Sequence, residues 1–417
     1  MNRLRQLWHY LDKVFDLSVL VRQVRDRRVF PVIPAPALHF SLLSGALLRI
    51  PSLLDLSQKT RGPGWQRLIG HGPISDDALG YALEHGRPED WRSVLATVNR
   101  TLKANKQFER AKIGGQLVVT LDANEQFKSR SRCCPGCSAR RIKIPSPQGQ
   151  EQELTEYFHR QVYAHISGPD FCVILDLEPI GPGEEEARAA LRLLGRLRRV
   201  YGVRFFDVVT VDAWYATGPF LRAVEKLGWG VVSVLKQERY TIYQEASTLA
   251  AHQQALCWED QGRHIQLREV RDLDFTDPAL GKLRVVMADE AWTQTRVVGG
   301  QRVPEPKTSH WRWLTSPRID SLPARVVWQI GHQRWGIENH AFNELTRHYG
   351  LEHCARHDPV AIVVWLLIRV LGFVLFELFA KLHLKTVRLG HQTLQDLRDC
   401  LLLALGRWEE LEALWSG

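Results

Sequence analysis

The chain has 417 residues, 45% of them hydrophobic, which is enough for a substantial core and long for one structural unit. Its formal net charge of +9 favours a polyanionic partner, nucleic acid first, with a merely soluble basic protein as the alternative. The opening MNRLRQLWHY lacks an apolar signal core, and seven cysteines, an odd count, point to a reducing compartment and to metal binding rather than a disulfide framework.

Residues 1–112 read as helical. An amphipathic piece at 17–24 precedes the breakers Pro31, Pro34 and Pro36, and a second helix covers 38–48. Ser75 reads as the N-cap of SDDALGYALEHG, and Pro88 opens the next helix, through Leu102. That pair is compatible with a DNA-contacting helix-turn-helix and equally with any helical bundle. Residues 113–236 change character. Apolar strands are expected at 116–121, 157–166, 171–177, 205–211 and 230–235, with a turn at 167–170 and helices at 184–201 and 220–227. Such alternation predicts an α/β (α+β) mixed sheet flanked by helices. Residues 237–309 read as a β-rich insertion, with strands at 263–269 and 282–287. Residues 310–382 return to the core, and 383–417 form a helical tail. The apolar run 360–382 is interrupted by Arg369, Glu377 and Lys381, so a buried helix is expected and no membrane span.

Residues 333–357, QRWGIENHAFNELTRHYGLEHCARH, read as one helix ending near Gly350, with Arg334 and Glu338 four apart on one face. Taken alone, that pair reads as a solvated ion pair. Two more acids, Asp122 and Asp212, end apolar strands, where α/β sheets present functional groups. Either aspartate alone is equally a cap for the turn that follows. Brought together, the three carboxylates need a cation. Two Mg²⁺ (or Mn²⁺) ions would neutralise them and clamp both oxygens of an in-line phosphoryl displacement. Asp207 and Glu344 are competing acids that point to other faces.

The series LDANEQF, VTVDAWYA and, after a long gap, RWGIENHAFNEL resembles the DDE transposases of bacterial insertion sequences, most nearly the IS-four-type group. The resemblance spans 117–382. It implies an RNase H-like core with a β-rich insertion between the second and third acids. It further implies divalent metal held by Asp122, Asp212 and Glu338, Asp122 bridging both ions, and endonucleolytic cutting of element ends followed by their joining to target DNA. The implied partners are double-stranded DNA and a second copy of the chain, in a bacterial, nucleoid-associated cytoplasmic setting. A nuclease that never joins ends and an idle, transposase-derived DNA-binding protein are the rivals. The family carries a Tyr-x2-Arg-x3-Glu-x6-Lys signature. Arg334 and Glu338 match it, whereas its tyrosine and lysine positions fall on Gly331 and Leu345.

Spacing points to a second metal centre. Cys134-Pro-Gly-Cys137 is a C-x2-C, and Cys354 with His357 would complete a Cys3His tetrahedron for Zn²⁺, with His159, His353 and Cys133 as substitutes. Free cysteines in a basic loop are the equal alternative. The run 128–143 holds Lys128, Arg130, Arg132, Arg140, Arg141 and Lys143, which reads as a DNA-backbone contact. Trp311 and Trp313 share a strand face; one could stack on a base, and at least one belongs to the core.

Overall fold

The structure, a computed structural model, describes residues 3–145, 151–166, 168, 173–298, 300–384 and 393–406. The expected turn at 167–170, apart from Gly168, the start of the strand at 171 and much of the C-terminal tail lie outside them.

Seven helices come first: α1 (Arg3–Phe15), α2 (Leu17–Gln23), α3 (Ala35–Leu47), α4 (Leu53–Lys59), α5 (Pro63–Ile69), α6 (Asp76–Glu84) and α7 (Pro88–Ala104). Ser75 caps α6 by accepting from the Ala78 amide at 3.2 Å, and Pro88 sits in the first turn of α7. The α6–α7 pair packs one face of each helix into the helical core. α7 buries Trp91, Val94, Leu95 and Val98, and its Arg92 reaches Asp176 across 3.2 Å. The apolar run at 360–382 is α13 (Pro359–Leu378), whose Asp358 cap accepts from the Val360 and Ala361 amides at 2.9 Å each. The segment Pro359–Leu384 is long and apolar enough to cross a membrane, yet 89% of its most apolar window is buried inside the protein. It packs against α3, α6 and α7, so helices from both ends of the chain share one core.

The central feature is a ten-stranded sheet. Its strands are β1 (Val118–Ser129), β2 (Ser138–Pro145), β3 (Glu151–Ile166), β4 (Val173–Ile180), β5 (Val208–Val211), β6 (Gly230–Val234), β7 (Leu256–Asp260), β8 (Arg263–Leu273), β9 (Leu283–Val298) and β10 (Gln301–Thr315). The order is β2-β3-β1-β5-β6-β10-β9-β8-β7, with β4 also on β3. β5 pairs in parallel with β1 and β6, and all other pairings are antiparallel. The helices α8 (Glu186–Tyr201), α9 (Gly218–Leu227) and α10 (Thr241–Ala250) connect strands. The expected mixed sheet flanked by helices is present. The β-rich stretch after β6 is not a separate body, because β10 runs unbroken from Gln301 to Thr315 and pairs with β6.

Two sequence expectations change. β1 does not end at Asp122. It runs seven residues further, paired with β3 alone once the pairing with β5 stops at Thr120 and Thr210. And the basic run 128–143 is no free loop: its second half is strand β2, where Arg140 faces Glu156 across the ladder. Charges on an exposed hairpin obscure strand alternation, so the segment reads as loop.

Side-chain alternation sorts the sheet into two faces. Val119, Val209 and Val231 face the large core shared with the helices. Val118, Val208 and Val232 face a smaller core with Trp313, Val327, Trp328 and Ile330, beneath α11 (Ala324–Gln333). Trp313 is fully buried and lies parallel to half-buried Trp311 at 5.9 Å, so both belong to this core. Glu290, only 2% exposed, anchors it. Its carboxylate accepts from Trp328 Nε1 (2.9 Å) and Arg263 Nη1 (3.1 Å) and lies 2.6 Å from His332 Nε2. Burial pushes the Glu290 carboxyl up, but the His332 and Trp328 hydrogen bonds outweigh it and bring it down to about 2. A depressed folded value means stability present above the ordinary value of 4.5 and lost as pH falls toward 2. Glu290→Gln is therefore expected to cost on the order of 3 kcal/mol at neutral pH and to flatten the acid limb of a denaturation-versus-pH series; an unchanged acid limb would refute the assignment.

Candidate active site and metal centre

The sheet positions the first two acids. Asp122 lies two residues beyond Thr120 on β1, and Asp212 two beyond Thr210 on β5, the last registered parallel pair. Adjacent strands lie about 4.8 Å apart. Alternation aims both side chains toward the face that carries Val118 and Val208, the one covered by α11. Asp122 Oδ1 accepts from the Ala123 amide at 2.9 Å. Asp212 Oδ1 accepts from the Trp214 amide at 2.9 Å, and the Asp212 carbonyl takes the Ser233 hydroxyl at 2.9 Å.

The third acid arrives from the other side. The expected single helix over 333–350 is three pieces: α11, then a π-helical turn (Ile337–Phe342) carrying Glu338, then α12 (Asn343–Tyr349), which stops at left-handed Gly350. Arg334, its side chain 4% exposed, joins the halves of the site. Its Nη1 donates to Glu338 Oε1 at 3.1 Å and to Asp122 Oδ2 at 3.3 Å. One nitrogen thus measures the convergence of a strand residue and a helix residue 216 positions apart. Burial pushes the Asp122 carboxyl up to about 7; Arg334 pulls against this, while Glu338 and Asp212 add to it. The donor set is all oxygen and over-negative for its burial, which fits Mg²⁺ or Mn²⁺ rather than a softer ion. The competitors stand aside. Asp207 takes the Leu117 amide at 2.8 Å, and Glu344 lies 3.9 Å from Arg49 and from His348.

Two neighbours escape a reading by sequence. Glu186, at the start of α8, accepts from the Tyr215 hydroxyl at 2.6 Å, and burial pushes it upward with Asp212 adding to the shift. In the run Glu184-Glu185-Glu186 it is indistinguishable from ordinary dipole-matching acids. Trp214 is 82% exposed beside Asp212, whereas Trp311 and Trp313 are packed away. A lone tryptophan after an apolar strand carries no sequence signal of exposure.

The basic hairpin is largely neutralised. Arg140 pairs with Glu125 and Glu156, Lys128 with Glu125, Arg141 with Glu153 and Lys143 with Glu151. Of the six cations, Arg130 and Arg132 alone are exposed without an acidic partner among the described residues.

The second cluster forms, with one substitution. Cys134, Cys137, His159 and His357 bring their ligand atoms within 4.8 Å of one another. Cys354 is outside this set and donates its thiol to the Arg356 carbonyl at 3.3 Å. Burial pushes the Cys354 thiol up, with Cys134 and Cys137 adding to the shift, so it lies near the cluster without joining it. His159 fills the place from β3.

Residues 155–375 match the family described as Transposase DDE domain, and the chain belongs to that family. Asp212 and Glu338 lie inside the matched stretch and Asp122 before it. A piggyBac transposase in a synaptic complex with hairpin DNA overlays at a TM-score of 0.44 and 12% identity, over 99% of this chain and 82% of that one; no residue correspondence follows at that distance. No curated protein sequence matches the chain.

Both departures from the family signature have packing reasons. A Cβ on Gly331 would stand 2.2 Å from Trp313 Nε1, and Leu345 is completely buried. Restoring the family residues should therefore harm the fold. Gly331→Tyr is expected to cost roughly 2–3 kcal/mol by overpacking, and Leu345→Lys several kcal/mol through a buried unpaired charge, both read by denaturant titration. A neutral or stabilising effect of either would refute this packing.

Proposed function

We propose that this chain is a DNA transposase of the IS-four-type insertion-sequence group, acting in a bacterial cytoplasm, which cuts phosphodiester bonds at its element's ends and joins the freed 3′-hydroxyls to target DNA. The observation that carries the reading is the meeting of Asp122 and Glu338 on the Arg334 guanidinium, with Asp212 alongside Asp122 in the sheet. Asp122, Asp212 and Glu338 would hold the divalent ions. When bound, such a pair activates an attacking oxygen and stabilises the leaving one.

The chain's own residues do the rest. The Ala123 and Trp214 amides fix the two aspartates, so their oxygens need no reorganisation when substrate arrives. Arg334 supplies a permanent buried cation beside the acids, where phosphate oxygens would gather. One such site serves cleavage and joining, because both are in-line displacements at phosphorus. Arg130 and Arg132 face backbone phosphates, and exposed Trp214 offers a stacking surface for a base. Two copies of the chain, one per DNA end, complete the proposal.

Asp212→Asn is expected to keep the fold and DNA binding while cleavage of end-bearing duplex falls by about two orders of magnitude or more; wild-type-like cleavage by this variant would remove Asp212 from the site. Joined products in the same assay separate a transposase from a nuclease that only cuts. In salt titrations of duplex affinity, Arg130→Ala with Arg132→Ala should lower the slope of log K against log salt by about 2. Arg140→Ala, whose charge is already matched by two glutamates, should leave it nearly unchanged, and the reverse pattern would refute the division of labour.

A further inference from the structure

We propose that Cys134, Cys137, His159 and His357 form a closed structural zinc site, separate from the carboxylate centre. The four come from three parts of the fold. Cys134 and Cys137 lie in the turn between β1 and β2, His159 lies on β3, and His357 lies just before the cap of α13. The Cys137 amide donates to the Cys134 carbonyl at 3.0 Å, and the Cys134 amide donates back to Cys137 Sγ at 3.3 Å, which turns both sulfurs to one side. Gly136 allows the approach, since a Cβ there would stand 3.3 Å from His159 Cε1 and 3.5 Å from Pro359.

The spacing of the donor atoms tests the assignment. Zinc–sulfur bonds of about 2.3 Å and zinc–nitrogen bonds of about 2.0–2.1 Å in a tetrahedron imply S···S edges of ~3.8 Å and S···N edges of ~3.6 Å. The Cys134–Cys137 sulfurs are 3.8 Å apart. Nε2 of His159 lies 3.3 Å from Cys134 Sγ and 3.2 Å from Cys137 Sγ, and Nε2 of His357 lies 3.0 Å from Cys137 Sγ. The S···S edge matches and the S···N edges are shorter than the ideal, so two free thiols and two imidazole nitrogens enclose one point that would open slightly around an ion. Two sulfurs and two imidazoles select zinc over magnesium by softness. Four protein ligands leave no open position, so the site is structural rather than catalytic.

The placement gives the ion a mechanical role. His159 pairs across the ladder with Gln126, four residues along β1 from Asp122. His357 belongs to the segment that follows the Glu338 turn and starts the buried helix α13. The ion therefore pins the far end of the β1–β3 ladder to the helical core, and holds the strand of the first acid at a fixed height over the segment of the third.

The test is metal analysis of the purified full-length chain. Elemental analysis should find about one zinc per chain, and replacement by Co²⁺ should give the strong visible bands of a tetrahedral ion with a thiolate charge-transfer band. Cys354→Ser should keep the full metal content. His159→Ala and His357→Ala should lose metal and lower the melting temperature. His159→Cys guards against misfolded variants: it should retain the ion and strengthen the thiolate band as a third sulfur joins. Zinc-free wild-type protein would overturn the site. Metal lost in Cys354→Ser but kept in His159→Ala would overturn this ligand set. Neither readout depends on DNA cleavage, so the result stands apart from the transposase reading.

Discussion

A buried guanidinium between two carboxylates is the contact on which the rest of the site depends. Asp122 sits inside a sheet strand, Glu338 on a distorted helix, and Arg334 touches both. At 3.3 Å and an effective dielectric near 20, the gross attraction of the Arg334–Asp122 pair is roughly 5 kcal/mol. Desolvating each ion costs several kcal/mol. The pair is thus close to break-even as a stabiliser, and its effect is positional. Remove the cation, and Asp122, which burial already pushes up to about 7, loses the one charge that pulls it down. The site is built to be short of positive charge, a condition that suits a centre whose counter-ions come and go.

The sheet supplies the other half of that constraint. β1 is shared: its first residues pair with β5, its later ones only with β3. Asp122 falls just past the point of departure, where β5 ends and turns at Asp212. A carboxylate there keeps a paired backbone on the β3 side and has no registered strand partner on the β5 side. The two-residue alternation that makes Val118 and Val208 core residues also aims Asp122 and Asp212 at the same face. Fold and site share one register, and a one-residue slip of either strand would turn its acid into the opposite core.

Much of this was legible in the sequence for a physical reason. Apolar runs closed by an acid are conspicuous, as are caps such as Ser75 and the Pro88 start, because they carry local signals. Asp212 does follow directly on its short strand, whereas Asp122 lies inside β1 and Glu338 on a π-helical turn. What stayed hidden depends on contacts distant in sequence. The cations of β2 looked like a free DNA-binding surface because their glutamate partners sit on neighbouring strands. His159, a lone histidine in a strand with no spacing signature, could be named only as a substitute ligand, whereas Cys354, at a ligand-like spacing from His357, bonds instead to the Arg356 carbonyl. Gly331 and Leu345 stood in sequence only as departures from the signature, and their packing against Trp313 and in the core around α12 depends on residues far along the chain.

The π-helical turn under Glu338 ties these points together. The Asn343 amide bonds to the Glu338 carbonyl, one residue wider than an α-helix allows, and residues 334 and 335 before it are already in a turn. The backbone ladder changes its spacing where the third acid stands, and the Glu338 side chain is tied there by its bond from Arg334. On either side the chain is firmly anchored, by Trp328 and His332 on Glu290 upstream and by buried Leu345 and Tyr349 downstream. A regular α-helix through 333–350 would present Glu338 at a different point around the axis, because one inserted residue rotates the helix face by about 100°, so the π-turn sets which face of the segment the third acid shows to Asp122.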